Sequence, residues 1–325
     1  MTYDTKIKYG IHEDVANKII LVDGIARSGK TLFNSIIPSL ENVEHTRPFI
    51  LLEQMIPAVA QGSINPQFAK AFFRVHINEL AYNNLLSRNM NFRIDDMTGI
   101  TNFKEPNIYF RRLFREEGDG IIEELRQHKL YFTFRTHEIL PNLEYFNMLD
   151  INYYMLALFR NPVDLVHSYW KRGWGDRFGN DPRAFTLTID YKEKQVPWYC
   201  AGFEGEWLSM NSMERCVRSI IFLIQESIDQ YKKAPNKERI HLMTFEGFIR
   251  NPKQEIKKIC AFLGTQETIY TEHFLRKDIR LSVLKPDKRK LRIEDIKSNA
   301  NNKLFDKLME LTKEYESTFY NLQSL

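Results

Sequence analysis

The sequence has little of what marks a secreted, zinc-bound or membrane-spanning protein. It holds three cysteines in 325 residues, Cys200, Cys216 and Cys260, scattered and without a CxxC pair. That argues against a disulfide framework and against a zinc site. The opening stretch MTYDTKIKYGIHEDVANK has no apolar signal core. The longest apolar run, YYMLALF at 153–159, is far too short to cross a bilayer. Charge of one sign is also scarce: 46 basic against 42 acidic side chains leave a formal +4. This balance fits a small anionic ligand and is too weak to argue for nucleic acid. No repeat, low-complexity tract or clear linker divides the chain. The expectation is a soluble, cytoplasmic protein with no integral membrane segment, and its length and apolar content allow a large buried core.

What is present is an alternation of strands and helices. KIILV at 18–22 is a short apolar run ending at Gly24 and reads as a buried parallel strand. GKTLFNSIIPSL then reads as a helix, and FILLEQ at 49–54 as a second strand. Helical periodicity runs through 64–88 and, broken near Gly118 and Gly120, through 106–128. KLYFTFRTH at 129–137 and NYYMLALFRNP at 152–162 read as strands, the latter stopped by Pro162, which opens the next helix. A long amphipathic helix over 210–233, a strand over 239–248, a helix over 251–264 ended by Gly264, and a helical tail complete the chain. This pattern predicts an α/β fold, a central parallel sheet flanked by helices on both faces. The Gly- and Trp-rich stretch 170–208 reads as one long irregular segment, in the position of a lid or acceptor loop.

Within this frame, Gly24, four residues, Gly29, Lys30 and Thr31 form a complete phosphate-loop pattern between a strand and a helix. Backbone N–H groups of such a turn converge on an anion, Lys30 adds positive charge, and Thr31 can donate a hydroxyl hydrogen bond or bind a metal. An ATPase or GTPase normally adds an acidic residue at a neighbouring strand end to hold magnesium. Here the apolar strands end in Arg135 and Arg160, and the one fair acidic candidate is Glu246. The loop is therefore expected to face cationic strand ends. Arg160, at the carboxyl edge of the sheet, suits a dianionic phosphate, and Ser168 sits two turns into the following helix on the same side.

Two segments carry a resemblance. LALFRNPVDLVHSYW at 156–170 resembles the 3′-phosphate segment of sulfotransferases, enzymes that use 3′-phosphoadenosine 5′-phosphosulfate (PAPS). There a strand ends in Arg and a Ser follows eight residues later, as Arg160 and Ser168 do. GIARSGKTL at 24–32 resembles the family's 5′-phosphosulfate loop through Arg27, Ser28, Gly29 and Thr31, with Lys30 departing from the usual Thr or Ser. FRTHEILPN at 134–142 resembles the Lys-Thr-His-Leu-Pro segment that carries a catalytic histidine, with Arg135 for the lysine and His137 retained. LMTFEGFIRNPKQEIKKICAFLG at 242–264 resembles a late Tyr-Glu-Asp-Leu…Asn-Pro…Phe-Leu-Gly segment.

The resemblance implies a phosphate-loop sulfotransferase fold over 1–325 as one domain, with 170–208 as lid or acceptor insertion and a helical tail. It implies PAPS as donor, no required metal, and sulfuryl transfer to a hydroxyl or amino group of a carbohydrate or small molecule. The donor would be held by Arg27, Ser28, Gly29, Lys30, Thr31, Arg160 and Ser168, with Arg27 and Lys30 stabilising the leaving phosphate and Arg135 assisting. His137 is the favoured base, and Glu53, placed after the second strand, is the other candidate. Arg276 and Lys277, or Ser282 and Lys285, in a basic stretch read as irregular, would complete the 3′-phosphate site. The tryptophans Trp170, Trp174, Trp198 and Trp207 are candidate acceptor walls. Two competing readings stand beside this one: a phosphate-loop kinase using Mg-ATP, and a non-catalytic nucleotide-binding protein.

Overall fold

The computed structural model describes residues 7–16, 18–94, 96–128, 130–279 and 286–322. Its centre is a sheet of five parallel strands in the order β2-β3-β1-β4-β7. The strands are β1 (Ile19–Asp23), β2 (Arg47–Pro48), β3 (Phe132–Arg135), β4 (Tyr153–Phe159) and β7 (Ile240–Thr244). A separate antiparallel pair, β5 (Thr188–Tyr191) and β6 (Lys194–Pro197), lies in the segment before the long helix Ser212–Lys233.

The period-two pattern of β1 assigns its two faces. Ile19 and Leu21 pack with Phe132, Phe134, Met155 and the helices Ile50–Ala60 and Pro66–Leu85. Ile20 and Val22 face the other way, onto Phe33, Ile36, Phe248 and the helix Pro252–Leu263. Burial on both sides is why β1 and β4 are apolar throughout rather than alternating. A third cluster joins the helix Pro162–Trp170 to Ser212–Lys233 and the C-terminal helix Asn302–Leu322.

The order of strands places the site. The chain leaves β1 for the β2–β3 side, then crosses to β4 and β7 on the other. Such a switch opens a crevice at the carboxyl ends of the strands. Val22 pairs with Arg135 on one side and Asp23 with Ala157 on the other, so Arg135 and Arg160 emerge on either flank of the loop that follows β1.

Several expectations from the sequence need correction. FILLEQ is not a strand. Only Arg47–Pro48 pairs with β3, and a helix begins at Ile50. Leu52, Ile56 and Val59 are among its buried positions, a helical spacing that a six-residue apolar run cannot reveal. Glu53 therefore sits in a first helical turn, not at a strand end. The helix after the phosphate loop is broken into Lys30–Leu32, Phe33–Ile36 and Ile37–Ser39, with Pro38 in the last piece. The segment 170–208 contains the β5–β6 hairpin and the helix Glu204–Ser209, and its Trp198 and Trp207 are core residues. The basic stretch near 273–290 is helical where it is described, over Thr271–Ile279 and Pro286–Asn299. No helix among the described residues is long and apolar enough to cross a membrane.

Candidate active site

The loop after β1 is shaped by two close approaches. A Cβ on Gly24 would lie 2.3 Å from the carbonyl oxygen of Leu158, and one on Gly29 2.4 Å from the Phe245 ring. Both have positive φ, 151° and 106°. The turn closes with Ser28 N–H donating to the Ile25 carbonyl. Lys30 is 3% exposed, and its ammonium donates back to the carbonyls of Gly24 and Ile25 inside its own loop. Burial lowers that ammonium to about 8, with Asp23 pulling the other way.

The carboxylates nearest the loop have partners. Asp23, fully buried, accepts from the Thr136 hydroxyl and from the N–H groups of Ile139 and Leu140. It ties the segment after β3 to the end of β1. Glu138, with φ +59°, accepts from Ala26 N–H of the loop at 3.2 Å and from the Tyr169 hydroxyl at 3.3 Å, and burial raises its carboxyl. Glu246, the residue that could have held magnesium, accepts from Asn161 N–H at 3.0 Å and from the Tyr315 hydroxyl at 2.8 Å. It fastens the C-terminal helix to the strand ends and is not one of the residues lining the cavity over the loop.

The cations are less committed. Arg27, at φ +69°, donates from Nε to Ser168 Oγ at 3.1 Å. Arg160 donates to the Arg27 carbonyl at 2.9 Å and lies over the Phe245 ring, 4.8 Å from its centroid. Through these contacts Arg27 touches both Arg160 and Ser168. Buried Nε atoms of Arg135 and Arg160, and the buried Ser28 hydroxyl, have no hydrogen-bond partner among the described residues. Buried donors are ordinarily satisfied, so this donor set fits an anion with several oxygens. Burial, the leading influence on all three guanidiniums, pushes Arg27, Arg135 and Arg160 down from their ordinary value.

Above the loop lies a cavity of about 790 Å3, lined by Arg27, Lys30, Arg135, His137 and Arg160 on the sheet side. Glu53 and His137 meet at its wall, Glu53 Oε1 to His137 Nδ1 at 3.0 Å. Burial pushes Glu53 up to about 7 against the pull of Lys30. Burial, followed by the Lys30 charge, pushes His137 down to about 3. The imidazole is thus neutral near pH 7, and a third of its side chain is open to the cavity (34% exposed). The neutral ring can accept a hydrogen bond from a bound hydroxyl, and in the ligand-free protein it is a weak base.

The chain matches the sulfotransferase domain family over residues 19–314. It belongs to the sulfotransferase family. Three solved structures are similar to it in arrangement. The sulfotransferase domain of the Synechococcus PCC 7002 olefin synthase is 12% identical, over 96% of this chain and 98% of that one, with a TM-score of 0.46. The sulfotransferase STF9 from Mycobacterium avium is 13% identical, over 94% and 77%, at 0.42. The sulfotransferase domain from the curacin biosynthetic pathway is 14% identical, over 77% and 74%, at 0.40. No curated protein matches the chain.

In this sulfotransferase the C-terminal candidates fare unevenly. Arg276 pairs with Glu272 at 2.7 Å, and Lys277 donates to Asn102 Oδ1 at 3.3 Å, and neither lines the cavity. Ser282 and Lys285 lie outside the described residues. Of the four tryptophans, Trp174 alone lines the cavity. Sequence reasoning missed Asp23 and Glu138, which build the loop from behind. Asp23, the last residue of an otherwise apolar strand, was a signal that could have been read.

Proposed function

We propose that this sulfotransferase takes PAPS as donor and moves its sulfuryl group to a hydroxyl of an acceptor bound in the same cavity. The observation that carries the reading is the pair of guanidiniums, Arg135 and Arg160, with unpartnered buried Nε atoms on either flank of the loop. Three positive groups, Arg135, Arg160 and Lys30, thus converge on one cavity whose nearby carboxylates, Asp23, Glu53 and Glu138, already have partners. That favours an anion neutralised by side chains over one carried by magnesium. The loop, with Arg27 and Lys30, would hold the 5′-phosphosulfate, and Arg160 with Ser168 the 3′-phosphate.

In the reaction, the acceptor oxygen attacks sulfur as the bond from sulfur to the 5′-phosphate oxygen breaks. The electron pair of that bond stays with the phosphate, and 3′-phosphoadenosine 5′-phosphate (PAP) leaves. Charge grows on the bridging oxygen, where Lys30 and Arg27 can stabilise it. The acceptor proton goes to His137 Nε2, while Glu53 holds Nδ1–H and so fixes the tautomer with a free Nε2 lone pair.

The test is calorimetry without magnesium. A 3′-phosphate separates PAP from ADP and AMP, and each charge-assisted bond to it contributes roughly 1.5–3 kcal/mol. PAP should bind tens to thousands of times more tightly than AMP, and Arg160→Ala should remove most of that preference. ADP binding as tightly as PAP would overturn the assignment in favour of a kinase.

A further inference from the structure

The cavity is also lined by apolar side chains. They are Pro48 at the end of β2, Ile50 at the start of the next helix, Met97 from the connection before Ile100, and Trp174, Ala184 and Phe185 from the segment after Trp170. Three of these large apolar side chains are unusually open: Ile50 is 48% exposed, Met97 51% and Phe185 68%. They come from three separate stretches of chain, yet converge on one mouth. Phe185 is also held at φ +47°, a conformation that costs an aromatic residue energy. The segment is fixed in place by Leu187 N–H donating to Gln54 Oε1 at 2.5 Å, from the helix that carries Glu53. An exposed phenyl ring thus stands on the same rigid support as the proton-accepting pair.

Beside Ala184 and Phe185 in the chain, the lining has one cation, Arg183, which is exposed and paired with Asp181. Its Nε donates to Asp181 at 2.9 Å, and Arg177 binds the same carboxylate. Asp278, also on the wall, accepts from Ser35. This part of the lining therefore offers mainly apolar surface with a few polar groups, and its one cation, Arg183, already shares the Asp181 carboxylate with Arg177. Lys30, Arg27, Arg135 and Arg160 lie with the phosphate loop and the strand ends.

We infer that the acceptor is a neutral alcohol with an extended apolar skeleton, its hydroxyl at His137 Nε2 and its chain along Ile50, Met97 and Phe185. This rests on the sulfotransferase reading of the same site and adds the acceptor class to it. Burial of apolar area is then the main source of acceptor affinity, whereas stacking on a sugar would ask for hydrogen-bond donors and acceptors along the wall.

The experiment uses the full chain with PAPS and a series of probes: 1-hexanol, 1-octanol, 1-decanol, N-acetylglucosamine and a sulfate-free chondroitin disaccharide. Product is followed by mass spectrometry. For the alcohols, kcat/KM should rise roughly three- to fourfold per added methylene until the wall is covered. Phe185→Ala and Met97→Ala should each lower kcat/KM for 1-decanol by tenfold or more. Their effect on 1-hexanol should be several-fold smaller, and PAP affinity should stay within twofold. Faster turnover of either sugar than of 1-decanol, or a flat chain-length series, overturns the acceptor class while leaving the donor assignment intact. PAP binding with no turnover of any alcohol also overturns it. Absence of PAP binding by the wild type is a different failure, since it removes the donor reading beneath.

Discussion

Glu53 Oε1 lies 3.0 Å from His137 Nδ1, so the two groups that compete for the role of base in the sequence form one unit in the structure. Both line the cavity, and His137 is the more exposed of the two, so in the proposed reaction His137 is the base and Glu53 orients it. His137→Ala should lower kcat by about 10²–10⁴-fold, the usual worth of a general base. Glu53→Gln should lower kcat less, by weakening control of the tautomer. PAP affinity, measured by calorimetry, should remain within a few-fold in both. Equal loss of kcat and of PAP binding in His137→Ala would instead make the histidine a donor-site residue.

The pair also sets a pH dependence. Below about 7 Glu53 holds a proton and donates it to Nδ1, which leaves the proton of the neutral ring on Nε2, the wrong tautomer. Above about 8 Lys30 loses its charge in the donor-free enzyme. The value of kcat/KM for PAPS should therefore rise through about pH 7 and fall above about pH 8. Glu53→Gln should flatten the rising limb and keep the falling one. A profile flat from pH 6 to 9 would show that neither group titrates in the working enzyme.

Glu53 carries a stability consequence of opposite sign to its function. Its folded value of about 7 lies above the ordinary 4.5, so stability from the protonated form is complete below 4.5 and is lost as pH rises to 7. Between those values the unfolded chain binds fewer protons than the native one. Relative to wild type, Glu53→Gln should be nearly neutral at pH 4 and more stable at pH 8, on the order of 1–3 kcal/mol. Urea melts at the two pH values check it. A variant less stable at pH 8 would show that the carboxylate is held ionised by Lys30 and Arg135.

Lys30 donates to the carbonyls of its own loop while lying close enough to Glu53 and Glu138 to affect both. Lys30→Ala should remove charge from the leaving group and unpin the loop together. A kcat loss of about 10²–10³-fold is expected, larger than that of Arg27→Lys, which keeps a charge. The loss should come with a lower melting temperature. Near-normal turnover in Lys30→Ala would mean that Arg27 and the backbone suffice at the loop.

Arg135 makes no hydrogen bond from its side chain and no ion pair among the described residues, although its Nε is buried. A group kept that way for a ligand should matter little to the empty fold. Arg135→Met should leave the denaturation midpoint within about 1 kcal/mol of wild type and weaken PAP binding by tenfold or more. A large loss of stability with unchanged PAP affinity would assign Arg135 to the fold.

The sequence by itself determined the parts of this protein that follow from local pattern. The phosphate loop was legible because Gly24 and Gly29 are demanded by positive φ and by close contacts at those positions. β1, β4 and the helix opening at Pro162 were legible because continuous apolar runs and proline are strong local signals. Arg160 and Ser168 could be placed on one side of a helix start from their spacing, and in the structure each contacts Arg27. Tertiary structure decided what depends on the partner. Whether ILLEQ is strand or helix rested on a continuation that packs Leu52, Ile56 and Val59 on the sheet. That difference of one helical turn brings Glu53 to His137, residues 84 apart in the chain. Likewise, Trp198 and Trp207 could not be told from acceptor walls until the core closed over them. Nor could Glu246 be told from a metal ligand until the C-terminal helix supplied Tyr315. A short-range pattern fixes the conformation of a turn, but the task of a charged or aromatic side chain is set by what the rest of the chain places against it.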